Sequence, residues 1–273
     1  MVSLTRRLAC LLVLLLGLQG GAAHAVAESA EQAREPVNVA VASNFLWTLR
    51  TLADRFRADT GYPVRISGGS TGKLFAQIQR GAPFDVFLSA DEESPARLER
   101  LGQGVAGFRF PYALGRLVLW TGKPEVMGAM GPDTVGQGAF RILAMANPSL
   151  APYGRAARQT LQSLKVLPTL EGRIVFGESV GQTFALIALG NADLGFVARS
   201  QIQSAPERLR RAAWLVPAAL HEAIRQDALL LKRGLEKPGA VAFMDFLKSA
   251  PARALIGEAG YDLPATGSRP DEI

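Results

Sequence analysis

The chain has 273 residues, 48% of them hydrophobic, and its 30 Lys and Arg against 24 Asp and Glu leave a formal charge of +6. That surplus is modest and scattered: Arg210-Arg211 is its densest spot and no aromatics are interleaved with it, which argues against nucleic-acid binding. One cysteine and two histidines provide no metal-ligand spacing, no disulfide framework and no Cys-His or Ser-His-acid arrangement.

Residues 1–25 read as a secretory signal: Arg6-Arg7, an almost wholly apolar run from Leu8 to Leu18, then Gly20-Gly21 and the small-residue site Ala23-His24-Ala25. The apolar run is too short for a permanent membrane anchor. Cys10 lies inside it and leaves with it, so the mature chain of about 248 residues carries no thiol and a charge near +4. The expected location is the periplasm of a bacterium. Residues 26–35 and 266–273 are small or polar and are expected to be disordered.

Between them, about 230 residues alternate short apolar runs with helical patterns, the signature of an α/β fold with mainly parallel strands. Residues 37–42 read as a strand, and Phe45, Leu49, Leu52 and Phe56 then recur at helical spacing up to a capping Gly61. A strand at 64–66, a helix at 74–79 and a strand at 86–88 follow. After Pro111 come strands at 114–120, 142–145, 174–176, 194–197 and 228–231, with helices over 154–164, 181–189, 238–248 and 252–259. Phe84, Phe87 and Trp120 read as core.

Four strand-to-helix steps carry the same turn chemistry: Ala42-Ser43-Asn44, Gly69-Ser70-Thr71, Pro152-Tyr153-Gly154 and Glu178-Ser179-Val180-Gly181. Free first-turn N–H groups and the helix dipole favour an anion at such places, and in open α/β sheets ligands bind beyond the carboxyl ends of strands. The anion is not a nucleotide. Gly72-Lys73 after a glycine-rich turn looks like a P-loop, but Ser67 stands where that motif needs glycine and Leu74 where it needs Ser or Thr. Ser43 and Asn44 also suit plain N-caps. Lys73 reads as a surface lysine of the first helical turn, Asp85 and Asp91 as caps of neighbouring turns, and His221 as a solvated residue.

Three segments in this order resemble the periplasmic molybdate-binding proteins of ABC importers. The first is Val39-Ala40-Val41-Ala42-Ser43-Asn44-Phe45. The second runs from Ser67 to Leu74 with Gln77-Ile78, then from Gly81 to Asp91; the third is Phe246-Leu247-Lys248-Ser249 with Gly260-Tyr261-Asp262-Leu263-Pro264. The match covers about residues 36–265.

The resemblance implies a two-lobed solute-binding protein fold of type II, each lobe a mixed, mainly parallel sheet flanked by helices. Lobe 1 would take 36–113 and 228–265, and lobe 2 would take 114–227. It further implies a monomeric receptor, without cofactor or metal cation, that holds molybdate or tungstate and delivers it to a membrane permease. The ligand residues carried over are Ser43, Asn44, Ser70, Thr71, Tyr153 and Val180, with Tyr153 and Val180 acting through backbone N–H, and Asn44 and Thr71 through amide and side chain. Many relatives place a tyrosine hydroxyl on the anion after an apolar Leu-Gly-x-Val strand. Here Ala198 follows Leu194-Gly195-Phe196-Val197, and compensation by Asn44 is expected.

Hydrogen bonds to a charged group contribute about 1.5–3 kcal/mol each, so several neutral donors suffice for a micromolar to nanomolar Kd, roughly 8–12 kcal/mol. Two other readings use the same loops: a receptor for another anion or one that reports to a sensor, and an enzyme in which Glu178 acts on the bound ligand.

Overall fold

A computed structural model describes residues 34–124 and 130–265. The signal segment 1–25 with Cys10, residues 26–33 and the tail 266–273 lie outside the described residues. In chain order the first part contains β1 (Val37–Ala42), a 3-10 turn (Ser43–Phe45), α1 (Leu46–Thr60), β2 (Val64–Gly69), α2 (Thr71–Gln79), β3 (Val86–Leu88), α3 (Glu93–Arg100) and β4 (Gly104–Gly115). There follow β5 (Leu117–Trp120), α4 (Pro132–Gln137), β6 (Leu143–Ala146), α5 (Pro152–Ser163), β7 (Ile174–Gly177), α6 (Val180–Ala188) and β8 (Leu194–Ala198). The last elements are α7 (Arg199–Ile202), α8 (Glu207–Arg211), β9 (Ala213–Leu215), β10 (Ile224–Leu231), α9 (Pro238–Lys248) and α10 (Ala250–Glu258).

Two five-stranded mixed sheets organise these elements, in the orders β2-β1-β3-β10-β4 and β7-β6-β8-β5-β9. In each, a parallel half comes from strand-helix-strand units and an antiparallel half from the strands beside the chain crossings. The antiparallel share is therefore larger than the apolar runs alone suggested.

The strand period of two sorts the first sheet's side chains. Val39, Val41, Val86, Leu88, Ala228 and Leu230 face Phe45, Leu49, Leu52 and Phe56, together with Phe243 and Leu247 of α9. Ala40, Phe87, Leu229 and Leu231 face Leu74, Ile78 and Leu98 on the other side. The α1 stripe is fully buried, as its spacing predicts, and Gly61 ends the helix at φ 75°, donating its N–H to Arg57 O. Trp120 is core in the second sheet, stacked on Phe184 with centroids 5.1 Å apart, whereas Phe84 is only partly buried.

Several boundaries differ from the sequence reading. The run 114–120 is two strands in different sheets, broken at Arg116. Gly115 is needed at that break, since a Cβ there would run into Tyr153 Oη and stand 2.7 Å from Gln226 Nε2. The β2 strand continues through Ser67-Gly68-Gly69 because it pairs in register with Ala40-Val41-Ala42. The β4 strand lies at a sheet edge, contains Pro111 and shifts register against β10, so it shows no alternating pattern.

Asp85 and Asp91 differ in role. Asp91 caps a turn, accepting from Ser94 N–H at 3.0 Å. Asp85, fully buried, accepts from Asn38 N–H at 2.9 Å and pairs with Lys237 at 3.1 Å and Arg233 at 3.4 Å.

Asp227 on β10 is buried and paired with Arg109 at 2.7 Å, which also reaches Glu99 at 3.1 Å. Burial raises the Asp227 carboxyl to about 6 against the opposing pull of Arg109. A folded-state value above the unfolded one means that the native protein takes up this proton first, so stability is gained as pH falls from about 7 to about 4. Urea unfolding across this range should show wild type gaining on the order of 2–3 kcal/mol relative to Asp227→Asn. A difference between the two proteins that stays flat with pH would refute the assignment.

Candidate anion-binding site

Three helices begin at the same small void. The α2, α5 and α6 helices start after β2, β6 and β7, and their first turns bring Thr71, Tyr153 and Val180 to a cavity that Ser43, Asn44 and Ser70 also line. These helices start one to three residues earlier than the apolar pattern indicated. Their first-turn residues present N–H groups, a property that periodicity does not register. The cavity has a volume of about 10 Å³, about the room that one water molecule needs.

Helix geometry leaves the first N–H groups without intrahelical partners. Where those donors go is largely accounted for. Gly72 N–H donates to Leu150 O at 2.9 Å, Gly181 N–H to Ser43 Oγ at 3.0 Å, and Gln182 N–H to the capping Ser179 Oγ at 3.3 Å. Pro152 has no N–H, and Gly154 N–H bonds Ala151 O at 2.9 Å. Thr71, Tyr153 and Val180 are the first-turn residues that line the void, where three helix dipoles add positive potential.

The hydroxyls extend the donor set. Thr71 Oγ1 accepts from Ala90 N–H at 3.1 Å and Ser43 Oγ accepts from Gly181 N–H, which leaves each hydroxyl its own proton to donate. Ser70 Oγ is buried with no hydrogen-bond partner, an unmet donor at the cavity wall. Among the described residues no charged side chain lines the cavity. Lys73 and Glu178 pair with each other at 2.9 Å on the rim, each about half exposed. Among the described residues no group of three His, Cys, Asp or Glu could hold a metal ion.

Asn44 departs from its expected role. Its Nδ2 donates to Gln226 Oε1 at 2.8 Å and to Tyr261 Oη at 3.1 Å, while Tyr261 Oη donates to Asn44 O at 2.8 Å. The side-chain protons expected for an anion are thus engaged within the protein, while Asn44 Oδ1 is buried with no hydrogen-bond partner. Compensation for Ala198 through the Asn44 amide group does not fit this geometry. Ala198 is not among the cavity-lining residues; its N–H donates to Gln201 Oε1 at 2.9 Å, and Gln201 Nε2 donates to Val180 O at 3.1 Å.

Beneath the void Gln226 joins Asn44 to two tyrosines. Its Oε1 lies 3.1 Å from Tyr112 Oη, and its Nε2 donates to Tyr153 Oη at 3.3 Å. Burial pushes the hydroxyls of Tyr112, Tyr153 and Tyr261 upward, so all three remain protonated. Gln226, Gln201, Tyr112 and Tyr261 escaped the sequence reading as parts of the site. The one available signal was the polar run Arg225-Gln226-Asp227 leading into the apolar Ala228–Leu231.

The chain matches the family model described as bacterial extracellular solute-binding protein over residues 37–262. It is 43% identical over 250 residues to the Molybdate-binding protein ModA of Azotobacter vinelandii, covering 92% of this chain and 97% of that one. It is 40% identical over 225 residues to the protein of the same name from Rhodobacter capsulatus, covering 82% and 87%. The solved structure of the Azotobacter vinelandii periplasmic molybdate-binding protein superposes with a TM-score of 0.80 at 44% identity, covering 84% of this chain and all of that one.

The geometry separates Thr71 from its neighbour Lys73. Thr71→Val keeps the shape and removes a charge-assisted hydrogen bond, so calorimetric titration should show anion affinity falling about 10- to 100-fold. Lys73→Ala, which removes an exposed rim pair, should change it less than about fivefold. The reverse ranking would contradict the site.

Proposed function

Because the chain belongs to the bacterial extracellular solute-binding proteins, and among them to the periplasmic molybdate-binding proteins, we propose that it is a receptor for molybdate and tungstate that hands its anion to an ABC-importer permease. The observation that carries the proposal is the cavity at which three helices start: Ser43, Ser70 and Thr71 bring hydroxyls to it, and among the described residues no charged side chain lines it. The anion would be held by Ser43, Ser70 and Thr71 through hydroxyls, and by the amides of Asn44, Thr71, Tyr153 and Val180.

Such a seat favours a fully deprotonated oxyanion, because hydroxyls and amide N–H groups donate to oxygens that carry no proton of their own. Phosphate, which carries a proton near neutral pH, is disfavoured on this ground, and sulfate by its smaller size. Molybdate and tungstate are nearly equal in size, and the same seat accepts both. The family is one of solute-binding proteins rather than enzymes. Glu178, the carboxylate considered for catalysis, faces Lys73 at the rim.

The two sheets act as lobes in this proposal. The expected division at 113/114 and 227/228 shifts by a few residues, to crossings at about 115–117 and 216–224, as the strand pairings favour. The lobes close on the anion and the closed form is what the permease distinguishes. The protein works as a periplasmic monomer after removal of residues 1–25. Among the described residues no helix is long and apolar enough to cross a membrane.

A thermal-shift series with molybdate, tungstate, sulfate and phosphate tests the substrate. Molybdate and tungstate at a hundred times Kd should each add about 2.7 kcal/mol of stability, and the other two little at the same concentration. A clear shift with sulfate or phosphate alone would overturn the assignment.

A further inference from the structure

Gln226 stands where the two sheets meet beneath the cavity. It belongs to β10 in the first sheet, is fully buried, and is the shared partner of three side chains. Its Oε1 accepts from Asn44 Nδ2 at 2.8 Å and lies 3.1 Å from Tyr112 Oη, both on the first sheet's side. Its Nε2 reaches Tyr153 Oη at 3.3 Å, on a helix packed against β6 and β8 of the second sheet. Both outer partners, Asn44 and Tyr153, line the cavity.

We infer that Gln226 is a positioning residue for the anion seat: its side chain links the Asn44 turn of one sheet to the first turn of α5 on the other, and that link is complete only when the two sheets are brought together. This rests on the proposed closure around an oxyanion. Tyr153 thereby has two separate functions, its N–H serving the seat and its hydroxyl receiving the link.

Three features support a built device rather than incidental packing. Gln226 is a fully buried polar side chain on the strand Ile224–Leu231, and both ends of its amide are engaged. The Gln226 amide sits within a wider buried network: Tyr112 Oη, 3.1 Å from its Oε1, also reaches Ser89 O at 3.0 Å, and Asn44 Nδ2 donates to Tyr261 Oη on its other side. Gly115 leaves the space the link occupies, since a Cβ there would stand 2.7 Å from Gln226 Nε2 and collide with Tyr153 Oη.

The test compares wild type, Tyr153→Phe, Gln226→Leu and the double variant by molybdate calorimetry, unloaded melting temperature, and the change in radius of gyration on loading by X-ray scattering. Tyr153→Phe keeps the ring and the backbone N–H, so its unloaded melting temperature should match wild type within about 2 °C. Its molybdate Kd should rise about three- to tenfold, with a smaller contraction on loading. The double variant should bind no more weakly than Gln226→Leu alone, since one link is lost in either case. Wild-type affinity and contraction in Tyr153→Phe, or losses that add in the double variant, would overturn the inference while leaving the receptor assignment intact. A wild type that binds neither molybdate nor tungstate would overturn both.

Discussion

Everything in this structure that bears on its ligand follows from the unmet hydrogen-bonding capacity of helix starts. A helix cannot pair its own first N–H groups, and a buried donor without an acceptor is costly. Here three such starts converge, and several of their donors are satisfied by contacts between the two sheets, Gly72 to Leu150 O and Gly181 to Ser43 Oγ. Others are met locally, Gln182 by Ser179 Oγ and Gly154 by Ala151 O, and Thr71, Tyr153 and Val180 line one small volume. A dense, charge-free set of donors is complementary to a compact anion and to little else.

Neutrality has its own logic. A lysine or arginine in so small a space would strengthen the grip on any anion, whether or not it carried a proton. A seat of amides and hydroxyls must be matched in number and direction, so its discrimination comes from geometry. The scaffold around it serves that precision: Gln201 fixes the start of α6 through Val180 O, and Tyr261 from the C-terminal segment fixes the Asn44 carbonyl.

Much of this was legible in the sequence. The α1 stripe of Phe45, Leu49, Leu52 and Phe56 announced a buried face, and four polar turns after apolar strands marked where donors would gather. Ser43, Asn44, Ser70, Thr71, Tyr153 and Val180 do come together around one cavity. What local pattern could not convey was partnership at long range. Asn44 looks like a free donor until Tyr261, 217 residues away, and Gln226, 182 away, are seen to occupy its amide group. Edge strand β4, with its proline and register shifts, lacked the alternation that identifies a strand, and the break at Arg116 is a property of two sheets rather than of one segment.

The rim and the seat answer differently to the medium outside the cell. Lys73–Glu178 and Arg155–Asp91 bridge the sheets at 2.9 and 3.2 Å with Lys73, Glu178 and Arg155 all close to half exposed, so dissolved salt weakens both attractions. The amide and hydroxyl donors inside are shielded from it. A bacterium moving between dilute and saline water would therefore alter how strongly these two pairs hold the sheets together, while the buried hydrogen bonds beneath them stay the same.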